Sequence, residues 1–182
     1  DTKTPQGILA IVKMLDYSLE DLMKGSSTTG TPMLAVIENL QDPGNLGTII
    51  RTAEGAGVSG ILMSANTVDI YNPKTIRSTM GSLFRMPFMY AEEFLPSIDE
   101  IKKMGVKVFA AHLDGEHSYA EEKYSGACAF LIGNEGNGLS DATAAKADVL
   151  VKIPMCGKVE SLNAAIASAV LLYEAKRQRD ML

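Results

Sequence analysis

Hydrophobic and polar positions change period again and again along this chain. Short apolar runs bounded by turn residues predict strands at residues 7–13, 33–37, 60–64, 86–90, 106–112, 127–133 and 150–154. Helical spacing lies between them. Leu46, Ile49, Ile50 and Ala53 form one stripe, stopped by Gly57, and Phe94, Ile98, Ile101 and Met104 form another, stopped by Gly105. The last helix is the longest: Leu162, Ile166, Ala169, Val170 and Tyr173 share a face, Ser161 is placed to cap it, and Lys176, Arg177 and Arg179 suit its C-terminal dipole. Alternating strands and helices predict an α/β fold with a mostly parallel sheet flanked by helices. Residues 24–30 read as a flexible linker, and the whole of 1–182 as one domain.

Composition narrows the function classes. With 17 Lys+Arg against 22 Asp+Glu, the chain carries −5 at pH 7, which argues against a general polynucleotide binder but leaves room for a local basic patch. Lys74, Arg77 and Arg85 supply one candidate. No apolar run approaches the ~20 residues of a membrane span, so a soluble, cytoplasmic protein is expected. Cys128 and Cys156 lie in apolar stretches and read as small buried hydrophobes.

Several tempting motifs fail on context. Gly55-Ala56-Gly57-Val58-Ser59-Gly60 matches a dinucleotide fingerprint in letters, but it closes a helix and opens a strand, the reverse of what pyrophosphate binding needs. His112 and His117 flank Asp114-Gly115-Glu116, which reads as a turn after a strand; no metal site is expected.

Three segments resist so plain a reading. The first runs from Glu38 through Asp42-Pro43-Gly44-Asn45 to Gly47, Arg51 and Ala53: a strand, a polar loop, then a helix with Arg51 off its apolar stripe. Asn45 suits either an N-cap or a ligand role. The second, Gly133-Asn134-Glu135-Gly136-Asn137-Gly138, follows a buried strand, and its glycines let a flat ligand approach the backbone. Glu135 suits either a cap for a helix near Ser140 or a site role. The third, Ile153-Pro154-Met155 to Ser161-Leu162-Asn163, offers apolar side chains and a helix start at the same sheet edge. Loops at the carboxyl ends of parallel strands are where such folds bind ligands.

Taken in order, these segments resemble motifs 1, 2 and 3 of the SpoU (TrmH-like) RNA ribose 2′-O-methyltransferases of the SPOUT superfamily. The resemblance rests on Asn45, Gly47, Arg51 and Ala53; on Gly133, Glu135 and Gly136; and on Ile153-Pro154-Met155 with Ser161-Leu162-Asn163, supported by residues 77–87. It implies a C-terminal deep trefoil knot, S-adenosyl-L-methionine as cofactor, a homodimer with an active site shared between subunits, and an RNA substrate, 23S rRNA ahead of tRNA. The implied catalytic residues are Arg51, Asn45, Glu135 and Asn163, with Arg51 at the 2′-hydroxyl, the asparagines orienting ribose or cofactor, and Glu135 holding Arg51 or the glycine-rich loop. The implied cofactor contacts are Gly133, Ile153, Leu162, Asn134, Met155 and Ser161. A base methyltransferase of the same superfamily and a non-catalytic RNA-binding or assembly factor are the alternatives. The chain starts at Asp1 without an initiator Met, so an N-terminal RNA-recognition domain is expected to be missing from it.

Overall fold

Strand β1 (Met33–Ile37) is buried at every position, a condition met only if both faces of its sheet are covered. In the computed structural model, which describes Gly7 and residues 11–24, 30–159 and 161–182, alternate β1 side chains enter two different cores. Met33, Ala35 and Ile37 meet α2 (Pro43–Ala56) and α6 (Ala164–Arg179) on one face. Leu34 and Val36 meet α1 (Leu19–Lys24) and α4 (Phe94–Lys103) on the other.

The remaining strands are β2 (Gly60–Ser64), β3 (Phe88–Ala91), β4 (Lys107–Ala111), β5 (His117–Ser118), β6 (Cys128–Ile132) and β7 (Val149–Lys152). They form one seven-stranded sheet of order β3-β2-β1-β6-β4-β7-β5, parallel at every pairing. The chain winds outward from β1 to β3, crosses to β4, and returns to insert β6 beside β1. That reversal of direction leaves a crevice at the carboxyl ends of the central strands. Two shorter helices complete the fold, α3 (Pro73–Thr79) against α2 and α5 (Asp141–Ala144) after the glycine-rich loop.

Six of the seven expected strands form, each within two residues of its predicted bounds at either end. Of the run at residues 7–13, the described part, Gly7 and residues 11–13, is not strand, and Ile11 stands 95% exposed. Residues 25–29 of the expected linker lie outside the described residues. Gly57 ends α2 in the left-handed region at φ 78°, donating to the Ala53 and Glu54 carbonyls, so Gly55 to Gly60 is a helix stop. Cys128 is buried, and burial pushes its thiol up to about 11, whereas Cys156 is exposed, contrary to expectation.

Helix α6 departs most from its expected orientation. Its buried residues are Ala165, Ser168, Leu171, Leu172, Ala175 and Arg179, while Ile166 and Tyr173 remain 52% and 49% exposed. The helix is apolar on two faces, and the one with small residues packs close to its neighbours. Arg179 is not a solvated end charge either. Its guanidinium is buried and donates to the carbonyls of Tyr124 (3.0 Å), Thr31 (2.8 Å), Pro32 (3.1 Å) and Gly126 (2.7 Å), so it ties the chain's last helix to the entrances of β1 and β6.

Replacing Arg179 by Met removes all of these bonds while keeping an apolar stem. Urea unfolding of Arg179→Met should show a loss of at least about 2 kcal/mol, since each buried polar group left short of a partner costs on the order of 1–3 kcal/mol. An unchanged midpoint would mean that the pin contributes nothing.

Candidate active site

Because β1 and β6 are neighbours in register, with Ile37 opposite Ile132, the loops that leave them emerge side by side. The β1 loop ends where Asp42 caps α2, accepting from the Asn45 N–H at 2.8 Å with Pro43 following. Asn45 is therefore not the N-cap but sits in the first turn, its side chain free to reach elsewhere. Cap and turn together aim it across the loop.

The β6 loop closes on itself. Asn134 and Gly138 exchange backbone hydrogen bonds at 2.9 Å, the Asn134 carboxamide oxygen accepts from Gly136 and Asn137, and its nitrogen donates to the Asn39 carbonyl at 2.8 Å. Gly133 is dictated by this closure: a Cβ there would sit 2.2 Å from the Gly138 carbonyl carbon and 2.3 Å from the Leu139 nitrogen. Ser140, not Glu135, caps α5, accepting from the Thr143 N–H.

Glu135 instead reaches the first loop. Its carboxylate accepts from the backbone N–H groups of Gln41 (3.1 Å) and Asp42 (2.9 Å) and from the Asn45 side-chain nitrogen (3.1 Å). The Asn45 side-chain oxygen accepts in turn from the Asn163 nitrogen at 3.1 Å. The Asn163 oxygen caps α6, accepting from the Ala165 and Ile166 N–H groups, a role expected of Ser161. An ionised carboxylate only accepts, whereas a carboxamide does both, so the order carboxylate, amide, amide, helix amides satisfies every group in one direction. Burial raises the Glu135 pKa, but the Asp42 and Gln41 amides and then Asn45 outweigh it and hold the carboxyl below its ordinary value.

Below this relay lies a cleft of about 360 Å³, within the range of small-molecule sites. All six expected cofactor contacts line it: Gly133, Asn134, Ile153, Met155, Ser161 and Leu162. Glu135 lines it too, while Asn45 and Asn163 stand at its margin through the relay. Arg51 is apart from them. It is exposed on α2, makes no hydrogen bond or ion pair among the described residues, and is not held by Glu135.

Two groups of residues have roles that sequence reading did not give them. Ala111, His112 and Leu113, at the exit of β4, line the cleft because β4 neighbours β6, an adjacency no local pattern reveals. Glu38, buried at the end of β1, accepts from the Ser140 N–H (2.8 Å), the Ser140 hydroxyl (2.7 Å) and the Thr143 hydroxyl (2.6 Å), bracing the far end of the glycine-rich loop. A lone acid closing a fully apolar strand was its only signal. Among the described residues no three His, Cys, Asp or Glu side chains gather as a metal site.

The profile of the SpoU rRNA Methylase family matches residues 32–173. A 23S rRNA (guanosine(2553)-2′-O)-methyltransferase, RlmP, of Bacillus subtilis is 39% identical over 97% of this chain and 67% of its own length. The SpoU methyltransferase AviRb of Streptomyces viridochromogenes, solved with the cofactor AdoMet, superposes with a TM-score of 0.82 at 31% identity, over 92% of this chain and 64% of that one. An AdoMet-bound rRNA methyltransferase of Sinorhizobium meliloti gives 0.78 at 38% identity, over 89% and 61%. This chain thus spans about two thirds of the length of the proteins it matches.

The relay makes a sign-specific prediction. In Asn45→Asp a second carboxylate faces Glu135, so the folded-state pKa of the pair rises and the variant should lose stability, by on the order of 1 kcal/mol, as pH climbs from about 5 to 7. Wild type gains from Glu135 being ionised and forfeits that only as pH falls through its lowered pKa, so the relay contributes no slope in the same window. Urea midpoints at the two pH values test this; parallel behaviour of the two proteins would refute the relay.

Proposed function

Because the chain belongs to the SpoU rRNA Methylase family, we propose that it transfers a methyl group from S-adenosyl-L-methionine to a ribose 2′-hydroxyl of RNA, with 23S rRNA as the leading substrate. The observation that carries this reading is the Glu135–Asn45–Asn163 relay, which joins three loops, distant in sequence, around one cleft. The cleft suits the cofactor chemically: a glycine-rich backbone wall at residues 133–138, and apolar surfaces from Leu139, Ile153 and Leu162 for a flat purine. When bound, S-adenosylmethionine supplies an activated methyl group. The protein's own task is then alignment and the handling of one proton.

Arg51 is the catalytic residue. A guanidinium stays protonated, so it serves by stabilising developing alkoxide character or by fixing the target phosphate, not as a proton acceptor. Glu135, Asn45 and Asn163 are positioning residues that hold the loops in register, with Gly133, Asn134, Ile153, Met155, Ser161 and Leu162 as the cofactor contacts. Arg51 lines no part of its own chain's cleft, which fits an active site completed by a second copy. The apolar face of α6 left bare at Ile166 and Tyr173 gives a homodimer a surface to bury. The shared fold implies the trefoil knot, with the 133–139 and 153–163 segments as its loops. No helix among the described residues is long and apolar enough to cross a membrane, and RNA as substrate suits a cytoplasmic place of action.

Arg51→Ala should lower tritiated-methyl transfer to rRNA by about 100-fold or more while leaving S-adenosylhomocysteine affinity within about twofold of wild type. Near-normal transfer would remove Arg51 from the mechanism. Calorimetry showing no S-adenosylhomocysteine binding to folded wild-type protein would remove the cofactor. The methylated linkage should resist alkali, because a 2′-O-methyl blocks the hydroxyl that attacks the phosphate; cleavage there would point to a base.

A further inference from the structure

Gly47, Arg51 and Glu54 lie on one face of α2, each about one turn from the next. The end of α3 and the segment after it run along this face, anchored at two points. A Cβ at Gly47 would meet the Ser78 Cβ at 2.4 Å and the Thr75 carbonyl at 2.7 Å, and Glu54 pairs with Arg85. Between these two anchors, as α2 passes through Arg51, the chain passes through the Met80–Gly81 turn. Both residues are left-handed, at φ 50° and 89°. Left-handed backbone is unfavourable for Met, yet here it turns the side chain outward instead of burying it.

This turn and the helical turn after it leave two large apolar groups uncovered. Met80 is 70% and Phe84 63% exposed, although their neighbours Leu83 and Met86 are buried and Phe109, Phe130 and Tyr124 are wholly enclosed. The surroundings are cationic in a chain of net charge −5. Arg85 and Lys74 are tied to Glu54 and Asp42, but Arg77 bonds only the Pro73 carbonyl and Arg51 bonds nothing among the described residues. Two arginines without acidic partners beside an open aromatic face match what unpaired RNA needs: cations for phosphates and a flat surface for a base. A lipid surface gives no reason for this patch to adjoin Arg51; a second copy of the chain would give one, and a changed sedimentation mass is the outcome that reads it.

We infer that Phe84 and Met80 form a stacking shelf for a base of the RNA strand whose ribose meets Arg51, with Arg77 on a neighbouring phosphate. The inference rests on the placement of Arg51 at the 2′-hydroxyl proposed above. It makes Phe84 a substrate-binding residue with no part in holding the cofactor.

The test uses fluorescence anisotropy with a labelled single-stranded RNA of about a dozen mixed nucleotides, alongside methyl transfer to in vitro transcribed 23S rRNA and tRNA. Phe84→Ala should weaken oligonucleotide binding by about 5- to 100-fold, and Phe84→Trp should keep it, because stacking needs only a flat ring. Arg77→Gln should reduce the salt slope by about 0.7, the value for one phosphate contact on a single strand. S-adenosylhomocysteine affinity and sedimentation mass should be unchanged in all three variants. Unaltered binding by Phe84→Ala, or no oligonucleotide binding by wild type, overturns the shelf. So does a changed mass, which would make Phe84 a subunit contact. Phe84-dependent binding without methyl transfer by wild type would overturn the enzymatic reading and leave the shelf standing.

Discussion

Glu135 is a carboxylate that works without a cation. It is satisfied by two backbone amides and one carboxamide, and through that carboxamide it reaches the cap of the last helix. The arrangement has polarity: acceptor at one end, helix amides at the other, with two asparagines able to pass the sense of donation along. Asp at either relay position would set oxygen against oxygen, and Ala would break the line. The relay is small in energy beside the two cores. Its importance is geometric, because the cleft exists only while the three loops keep their spacing, and the hydrogen bonds set that spacing.

The relay in turn depends on strand order. Inserting β6 between β1 and β4 places the glycine-rich loop next to the loop that leads into α2 and, through β4 and β7, near the segment that leads into α6. Opposite ends of the sheet are secured by different means. At the carboxyl edge, Glu135 and Glu38 accept from loop and helix amides; at the amino edge, the buried Arg179 donates to four carbonyls. The exposed Glu135 meets two backbone N–H groups and a carboxamide, the buried Glu38 one backbone N–H and two hydroxyls, and the buried Arg179 four C=O groups, so each of these charges is held by polar groups and not by an opposite charge.

Charge on the surface follows a similar economy. A net negative chain cannot hold RNA over a broad face, so cations without an acidic partner among the described residues gain significance. Arg51 and Arg77 are such cations, and they share their neighbourhood with the uncovered Phe84. The stripe of α6 left bare at Ile166 and Tyr173 is a separate apolar surface.

Much of this was legible in the residues. Strand runs, the Leu46 to Ala53 stripe, the Gly57 stop and the grouping of Gly133, Ile153 and Leu162 at one sheet edge follow from local rules, because turn chemistry and apolar period act over a few residues. What local rules left open were choices between equals. Asn45 and Glu135 suited caps as well as a site, and Asp42 and Ser140 took the caps. Either face of α6 was apolar enough to be buried. His112 and Leu113 gave no usable signal and Glu38 only that of a lone acid closing an apolar strand, since their roles come from strands adjacent in the sheet but distant in the chain. The sequence by itself determined six of the seven strands, the helices α2, α4 and α6 and the ligand loops. The tertiary structure alone decided which loops touch and which groups remain bare, because those depend on strand order, and strand order is set by packing over the whole chain.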